Sequence, residues 1–221
     1  MAHSTPSDIE RTSLGIIESE LSLKGISLSE ETGFVVKRVI HATADFDFAE
    51  NLVFTKNACQ KAAGALSNGT VIITDTNMAL AGISKVALRK TAGKAACFMA
   101  DPETAEEAKR QQTTRAAVSM QRAAADYQKC ILAIGNAPTA LLELCRLMEE
   151  GFRPSLVIAV PVGFVNVVEA KEKILASCRK YDIPCIAAMG RKGGSTVAAA
   201  ICNALLYSAC DLTEPEKRGW N

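Results

Sequence analysis

Residues 38–48 read RVIHATADFDF and contain His41, the only histidine of the 221-residue chain besides His3. Histidine is the side chain whose ordinary pKa lies nearest neutrality, so His41 is the first candidate for proton transfer at pH 7. The following acids, Asp45 and Asp47, would raise its pKa toward the protonated form. On pattern alone, a satisfied loop histidine and a catalytic one both remain open readings.

A second group of candidates could bind an anion. In GRKGGST (residues 190–196), Gly193 and its neighbour let backbone N–H groups approach a ligand. Ser195 and Thr196 open a helix there, and Arg191 and Lys192 add charge. The phosphate-loop pattern GxxxxGK[ST] is absent, so the likeness to a nucleotide site is loose. The same stretch also reads as a tight turn into the Ala-rich helix VAAAICNALL. GNAPT (135–139) offers Asn136 at another helix start, and QTTRAAV offers Arg115 as a ligand contact or a solvated base. Asp75 ends the run TVIITD, where capping a helix is the commoner role and accepting from a ligand the alternative.

The elements that must hold these residues follow from the apolar pattern. TVIITD (70–75), KAACFM (94–99), CILAIG (130–135), LVIAVP (156–161) and PCIAAM (184–189) are nearly continuous apolar runs, as strands covered on both faces require. Helical segments separate them: Pro138 suits a first turn and Gly151 a stop, Asn166 with Glu169 suits a capping box, and DPETAEEAKRQQTTRAAVSMQRAAADYQ is acidic early and basic later. The expectation is a three-layer α/β/α fold with a mainly parallel, five-stranded, flavodoxin-like sheet. One domain spans 1–221, with a core at 70–210 and an N-terminal helical segment at 1–69 carrying the His41 loop. In that segment Ser7 and Ser29 suit N-caps, and FAENLVFTKNACQKAAGALSNG reads as one helix. Ligands in such sheets bind beyond the carboxyl ends of the strands, where all of TDTN, MADP, GNAPT, PVGF and GRKGGST fall.

Composition narrows the function classes. The formal net charge of +1 and 5% aromatic residues give neither a field nor a stacking platform for nucleic acid. The eight cysteines form no CxxC pair and read as small buried hydrophobes of a reduced, cytoplasmic compartment, and no ligand set for a metal stands out. The longest apolar run, LVIAVPVGFVNVV, is too short for a membrane span and is broken by Pro161 and Gly163.

Taken in order, RVIHATADFDF, QTTRAA, GNAPTALLEL, VPVGFVNVVEAKE and GRKGGSTVAAA resemble the signature segments of the precorrin-8X methylmutase family of corrin biosynthesis, which includes the cobalt-precorrin-8 enzymes. The resemblance runs from SDIERTS to CNALLY. It implies an isomerase of cobalamin biosynthesis that moves a methyl group from ring carbon 11 to ring carbon 12 of a tetrapyrrole, giving hydrogenobyrinic acid or its cobalt counterpart. It also implies a homodimer with sites near the interface and no separate cofactor, cobalt entering only within the substrate. The family's catalytic histidine falls on His41, which would donate a proton to the macrocycle. Arg115 falls on a Thr-Arg-small segment, and Ser13 in ERTSLGII matches a family segment near the N-terminus. Asn166 and Val167 depart from the small residues usual there. Arg191, Lys192 and the helix starts at Asn136 and Ser195 suit the substrate's carboxylates. Two other classes stay open: a non-catalytic corrin carrier and, by fold analogy alone, a nucleotide-binding regulator.

Overall fold

The computed structural model describes residues 5–218. His3 lies outside them. Six strands form one sheet in the order β1-β6-β5-β4-β2-β3, made of β1 (Leu52–Phe54), β2 (Ile72–Thr74), β3 (Ala95–Ala96), β4 (Ile131–Ile134), β5 (Leu156–Ala159) and β6 (Cys185–Ala188). All pairings are parallel except that of β1 with β6, where Leu52 faces Ala188 and Phe54 faces Ile186. Without β1 the order is that of a flavodoxin-like sheet, with its topological switch between β2 and β4.

Side chains alternate between the sheet faces and divide the core in two. Ile72, Ile131, Leu156, Ile158 and Ile186 join one cluster with α1 (Pro6–Leu23), α2 (Gly33–Thr43), α4 (Ala58–Ser67), α5 (Asn77–Gly82), α6 (Lys85–Lys90) and α11 (Ser195–Ala209). Ile73, Leu132, Ile134, Val157 and Cys185 join the other with α8 (Arg115–Asp126), α9 (Pro138–Glu149) and α10 (Val167–Lys180). The short α3 (Phe48–Asn51) leads into β1, and α7 (Pro102–Arg110) precedes α8.

The layered, mainly parallel class matches the expectation, with four local corrections. The stretch expected as one helix over 48–69 contains β1, because three residues between two helices are too few to show a period. His41 sits in the last turn of α2, not in a connection, and the helix ends at Ala44 in the left-handed region (φ 54). The segment after Asp101 breaks at Gln112 (φ 52) into α7 and α8. Caps differ too. Thr5, not Ser7, accepts from the Asp8 N–H at the start of α1; Ser29 lies in the turn before α2 and accepts from the Thr32 N–H; and Asn166 stands left-handed (φ 56) with no side-chain bond to α10.

Candidate functional site

The loops at the carboxyl ends of the strands are tied to one another by buried hydrogen bonds. Asp75, fully buried just after β2, accepts from the backbone N–H groups of Gly135 (2.8 Å), Asn136 (2.8 Å) and Ala137 (2.7 Å) in the loop after β4. Burial pushes its carboxyl above the ordinary range, and the three N–H donors oppose that shift. Asp75 thus caps α9 from a neighbouring strand and closes the switch point. With no surface open to solvent, it holds the loop against which a ligand would lie.

Thr76 caps α5 by accepting from the Ala79 N–H, and its hydroxyl meets that of Ser195 at 2.7 Å. Gly194 donates to Val160 O at 2.8 Å. A Cβ on Gly193 would stand 2.2 Å from Val160 O, and one on Gly135 would stand 2.8 Å from Ser195 Cα. Glycine at 135 and 193 therefore allows three loops to pack backbone on backbone. Ser195 and Gly193 are joined to this assembly. Asn136 contributes its N–H to Asp75 while its residue surface stays exposed.

The remaining candidates are more dispersed. Arg115 begins α8, exposed, with Nη1 3.4 Å from Met99 O, while Thr114 beside it donates to Thr139 at the start of α9. Arg191 lies 5.6 Å from the ring of Phe164, which is 83% exposed. Lys192 donates to both Asp45 (2.7 Å) and Asp47 (2.6 Å), so the loop after β6 is strapped to the turn after His41. Ser13 is on α1, its hydroxyl donating to Ile9 O at 2.9 Å, and it lines no cavity with His41.

His41 opens onto a groove of about 410 Å³, lined by Arg38 and Ala42 of α2, Met78 and Gly82 of α5, and Thr196, Ala199, Ala200, Asn203 and Tyr207 of α11. The α11 residues follow the i, i+3, i+4, i+7 spacing of one helix face. Gly82 is required where α5 crosses α11, since a Cβ there would lie 2.8 Å from that of Ala199. Asn203 fixes the crossing by accepting from the Ser84 N–H and donating to Gly82 O. The groove falls within the usual ~300–1,000 Å³ of small-molecule sites. A larger cavity of about 710 Å³, between the end of α1 and the start of α2, shares no lining residue with it.

The electrostatics around His41 reverse one expectation. Burial and the cations Arg38 and Arg218 hold its pKa below the usual histidine value, opposed only by Glu10. Asp45 and Asp47, expected to raise it, are occupied by Lys192.

Three features escaped the sequence reading. Glu10 of α1 accepts from Arg38 at 2.6 Å and from Arg218 at 2.5 Å, and both guanidiniums lie over the ring of Tyr207. Lys171 of α10 is fully buried and donates to the carbonyl oxygens of Gly190 and Lys192. The α11 stripe was read only as an Ala-rich helix. Its spacing, and the position of Arg38 three residues before His41, were the available signals.

Among the described residues no helix is long and apolar enough to cross a membrane, and no cluster of three or more histidine, cysteine or acidic side chains is placed to hold a metal.

A family model described as precorrin-8X methylmutase matches residues 8–208. The chain is 41% identical over 201 residues to the cobalt-precorrin-8 methylmutase of Priestia megaterium, covering 90% of this chain and 87% of that protein. It is 45% identical over 174 residues to the cobalt-precorrin-8 methylmutase of Salmonella typhimurium, covering 78% and 80%. The crystal structure of the Thermus thermophilus precorrin-8x methyl mutase superposes with a TM-score of 0.82 at 34% identity, covering 92% of this chain and 98% of that one.

Proposed function

The chain belongs to the precorrin-8X methylmutase family of isomerases, and from that premise we propose that it moves a methyl group from ring carbon 11 to ring carbon 12 of cobalt-precorrin-8, with His41 as proton donor to the macrocycle. The observation that carries the reading is the position of His41: it is the only histidine within the matched residues 8–208, and it faces a groove walled by α2, α5 and α11.

The chemistry suits one acid-base group. An intramolecular shift needs no external methyl donor; the methyl leaves one ring carbon with its bonding pair and joins the neighbour. The imidazolium of His41 gives its proton to the conjugated ring, which opens the path to migration, and the neutral imidazole takes a proton back afterwards. Such assistance is worth about 10²- to 10⁴-fold in rate. No cofactor of the protein's own takes part in this scheme. The cobalt form is favoured because the Priestia and Salmonella relatives carry it in their names.

The strand ends support a macrocycle and a second copy of the chain. Met78 at the start of α5 and Val162, Phe164 and Val165 on the loop after β5 are exposed apolar residues. A flat ring edged with carboxylates pairs an apolar face with charged arms, and Arg115, Arg191 and Lys192 are donors of the kind those arms need. The shallow groove would be completed by a homodimer partner, which light scattering would detect as twice the chain mass. Eight free cysteines accord with a reduced cytoplasmic setting.

The test is an absorbance titration with hydrogenobyrinic acid and, in parallel, its cobalt counterpart, followed by turnover of precorrin-8 in both forms. Stoichiometric binding with turnover supports the isomerase. Binding with no turnover leaves a carrier, and no binding of either ligand removes the reading.

A further inference from the structure

We infer that Lys171 is a positioning residue for substrate binding: from inside the protein it sets the backbone of Arg191, whose guanidinium, beside the exposed ring of Phe164, takes a carboxylate arm of the macrocycle. The inference rests on the corrin-acid reading above and adds to it one contact and the residue that fixes it.

Lys171 stands about one turn into α10 and is wholly enclosed. Its Nζ donates to Gly190 O at 2.9 Å and to Lys192 O at 2.8 Å, and among the described residues it meets no carboxylate. An enclosed cation without a counter-ion is costly, and a methionine would fill similar space without that cost. What the ammonium supplies and methionine cannot is a pair of N–H donors for two carbonyls of one loop.

Those two carbonyls flank Arg191. The carbonyl of Arg191 itself accepts from the Gly163 N–H at 3.3 Å, so the three consecutive carbonyls from Gly190 to Lys192 are all held by the protein. Gly194 then donates to Val160 O at 2.8 Å. The backbone is fixed along the loop, while the side chains of Arg191 and Lys192 stay at the exposed surface.

The two exposed cations differ in what they hold. Lys192 is taken by Asp45 and Asp47. The guanidinium of Arg191 has no hydrogen-bond partner among the described residues and lies 5.6 Å from the ring centre of Phe164, within cation–π range. An open fork of N–H groups beside an exposed aromatic ring suits a ligand that carries carboxylates on the rim of a flat apolar ring. Thr196, four residues past Lys192, lines the groove of His41. One loop thus joins the carboxylate contact to the wall of the groove that holds the acid.

The test is a double-mutant cycle on corrin affinity. Hydrogenobyrinic acid is titrated by absorbance into the full-length protein, Lys171→Met, Arg191→Met and the pair. Each single change is expected to weaken binding by about 10-fold or more, and the pair by little more than Arg191→Met alone, because Lys171 acts through Arg191. A merely structural role would multiply the two losses. Multiplied losses, or unchanged affinity in either single variant, overturn the inference. Amide exchange of the ligand-free proteins reads the loop itself. Lys171→Met should speed exchange at Gly163 and Gly194 and leave Gly135, Asn136 and Ala137, held by Asp75, at the wild-type rate. Unchanged exchange at Gly163, or an equal rise at both sets, overturns the positioning role. Should Lys171→Met fail to fold, Lys171→Gln, which keeps an N–H donor, carries the same comparisons. If the wild-type protein binds no corrin acid, the functional reading fails, and the exchange rates then decide separately whether Lys171 sets the loop.

Discussion

Lys171 Nζ, buried in α10, donates to the backbone carbonyl of Lys192 at 2.8 Å, while the ammonium of Lys192 itself reaches out to Asp45 and Asp47. One lysine fixes the backbone from which the other extends. The loop after β6 is thereby held between α10 on one side and the end of the His41 helix on the other. The two residues differ in environment: Lys171 is wholly enclosed and donates to carbonyls, whereas Lys192 is exposed and ion-paired.

Burial lowers the Lys171 pKa to about 8. The folded group then loses its proton at a lower pH than the unfolded one, near 10.4. Below about pH 8 both states are protonated and the fold bears the full cost of the enclosed cation. Between about 8 and 10.4 the unfolded chain binds more protons, so stability contributed by this site rises with pH, by at most about 1.4 kcal/mol per unit. Denaturant unfolding of wild type and Lys171→Met should diverge in the wild type's favour across that window. Parallel pH profiles would show that Lys171 does not titrate there.

Asp75→Asn removes acceptor capacity that no neighbour replaces. The carboxylate takes three backbone N–H groups, two of them on Oδ2, whereas the amide would turn its own N–H groups toward donors. A loss of about 2–4 kcal/mol is expected in chemical denaturation, together with faster amide exchange at Gly135, Asn136 and Ala137. A variant as stable as wild type would mean that the loop holds its shape without this carboxylate.

These two sites also mark how far sequence reasoning reached. The parallel strands were legible because each is a continuous apolar run, and Pro138 announced α9. β1 was not, since Leu52–Phe54 gains its identity from pairing with β6 across the sheet. Asp75 was legible as a capping residue, but its target 60 residues away depended on strand order. Nothing within EAKEKIL singled out Lys171, because its burial is supplied by the distant Gly190–Lys192 loop. The cluster of Glu10, Arg38 and Arg218 likewise joins charges 28 and 208 residues apart, a distance no local pattern spans. His41 was legible as a candidate, but the sign of its electrostatics depended on Lys192 claiming the two nearby acids.

Gly193→Ala tests the close packing of the loops. The added carbon would lie 2.2 Å from Val160 O and 2.9 Å from Pro161 O, both backbone atoms that cannot rotate away. The loop must shift, loosening the Gly194 N–H bond to Val160 O. Overpacking of this kind costs about 1–3 kcal/mol. Guanidinium unfolding should show it, and corrin binding should weaken along with it because Ser195 and Lys192 move together. An unchanged midpoint would place the loop elsewhere.

His41→Ala should lower turnover of precorrin-8 by about 10²- to 10⁴-fold while corrin binding stays within a few-fold of wild type. The pH profile adds a sharper criterion. A proton donor works in its charged form, so the rate falls as pH rises through its pKa. For the empty enzyme that pKa lies below the ordinary 6.5, held there by burial and by Arg38 and Arg218, so kcat/KM should begin its decline on the acid side of 6.5. The kcat profile reports the same group in the complex. Limbs of both profiles that disappear together in His41→Ala would assign both to this residue. A variant that keeps either limb, or keeps wild-type turnover, would move the proton transfer to another group.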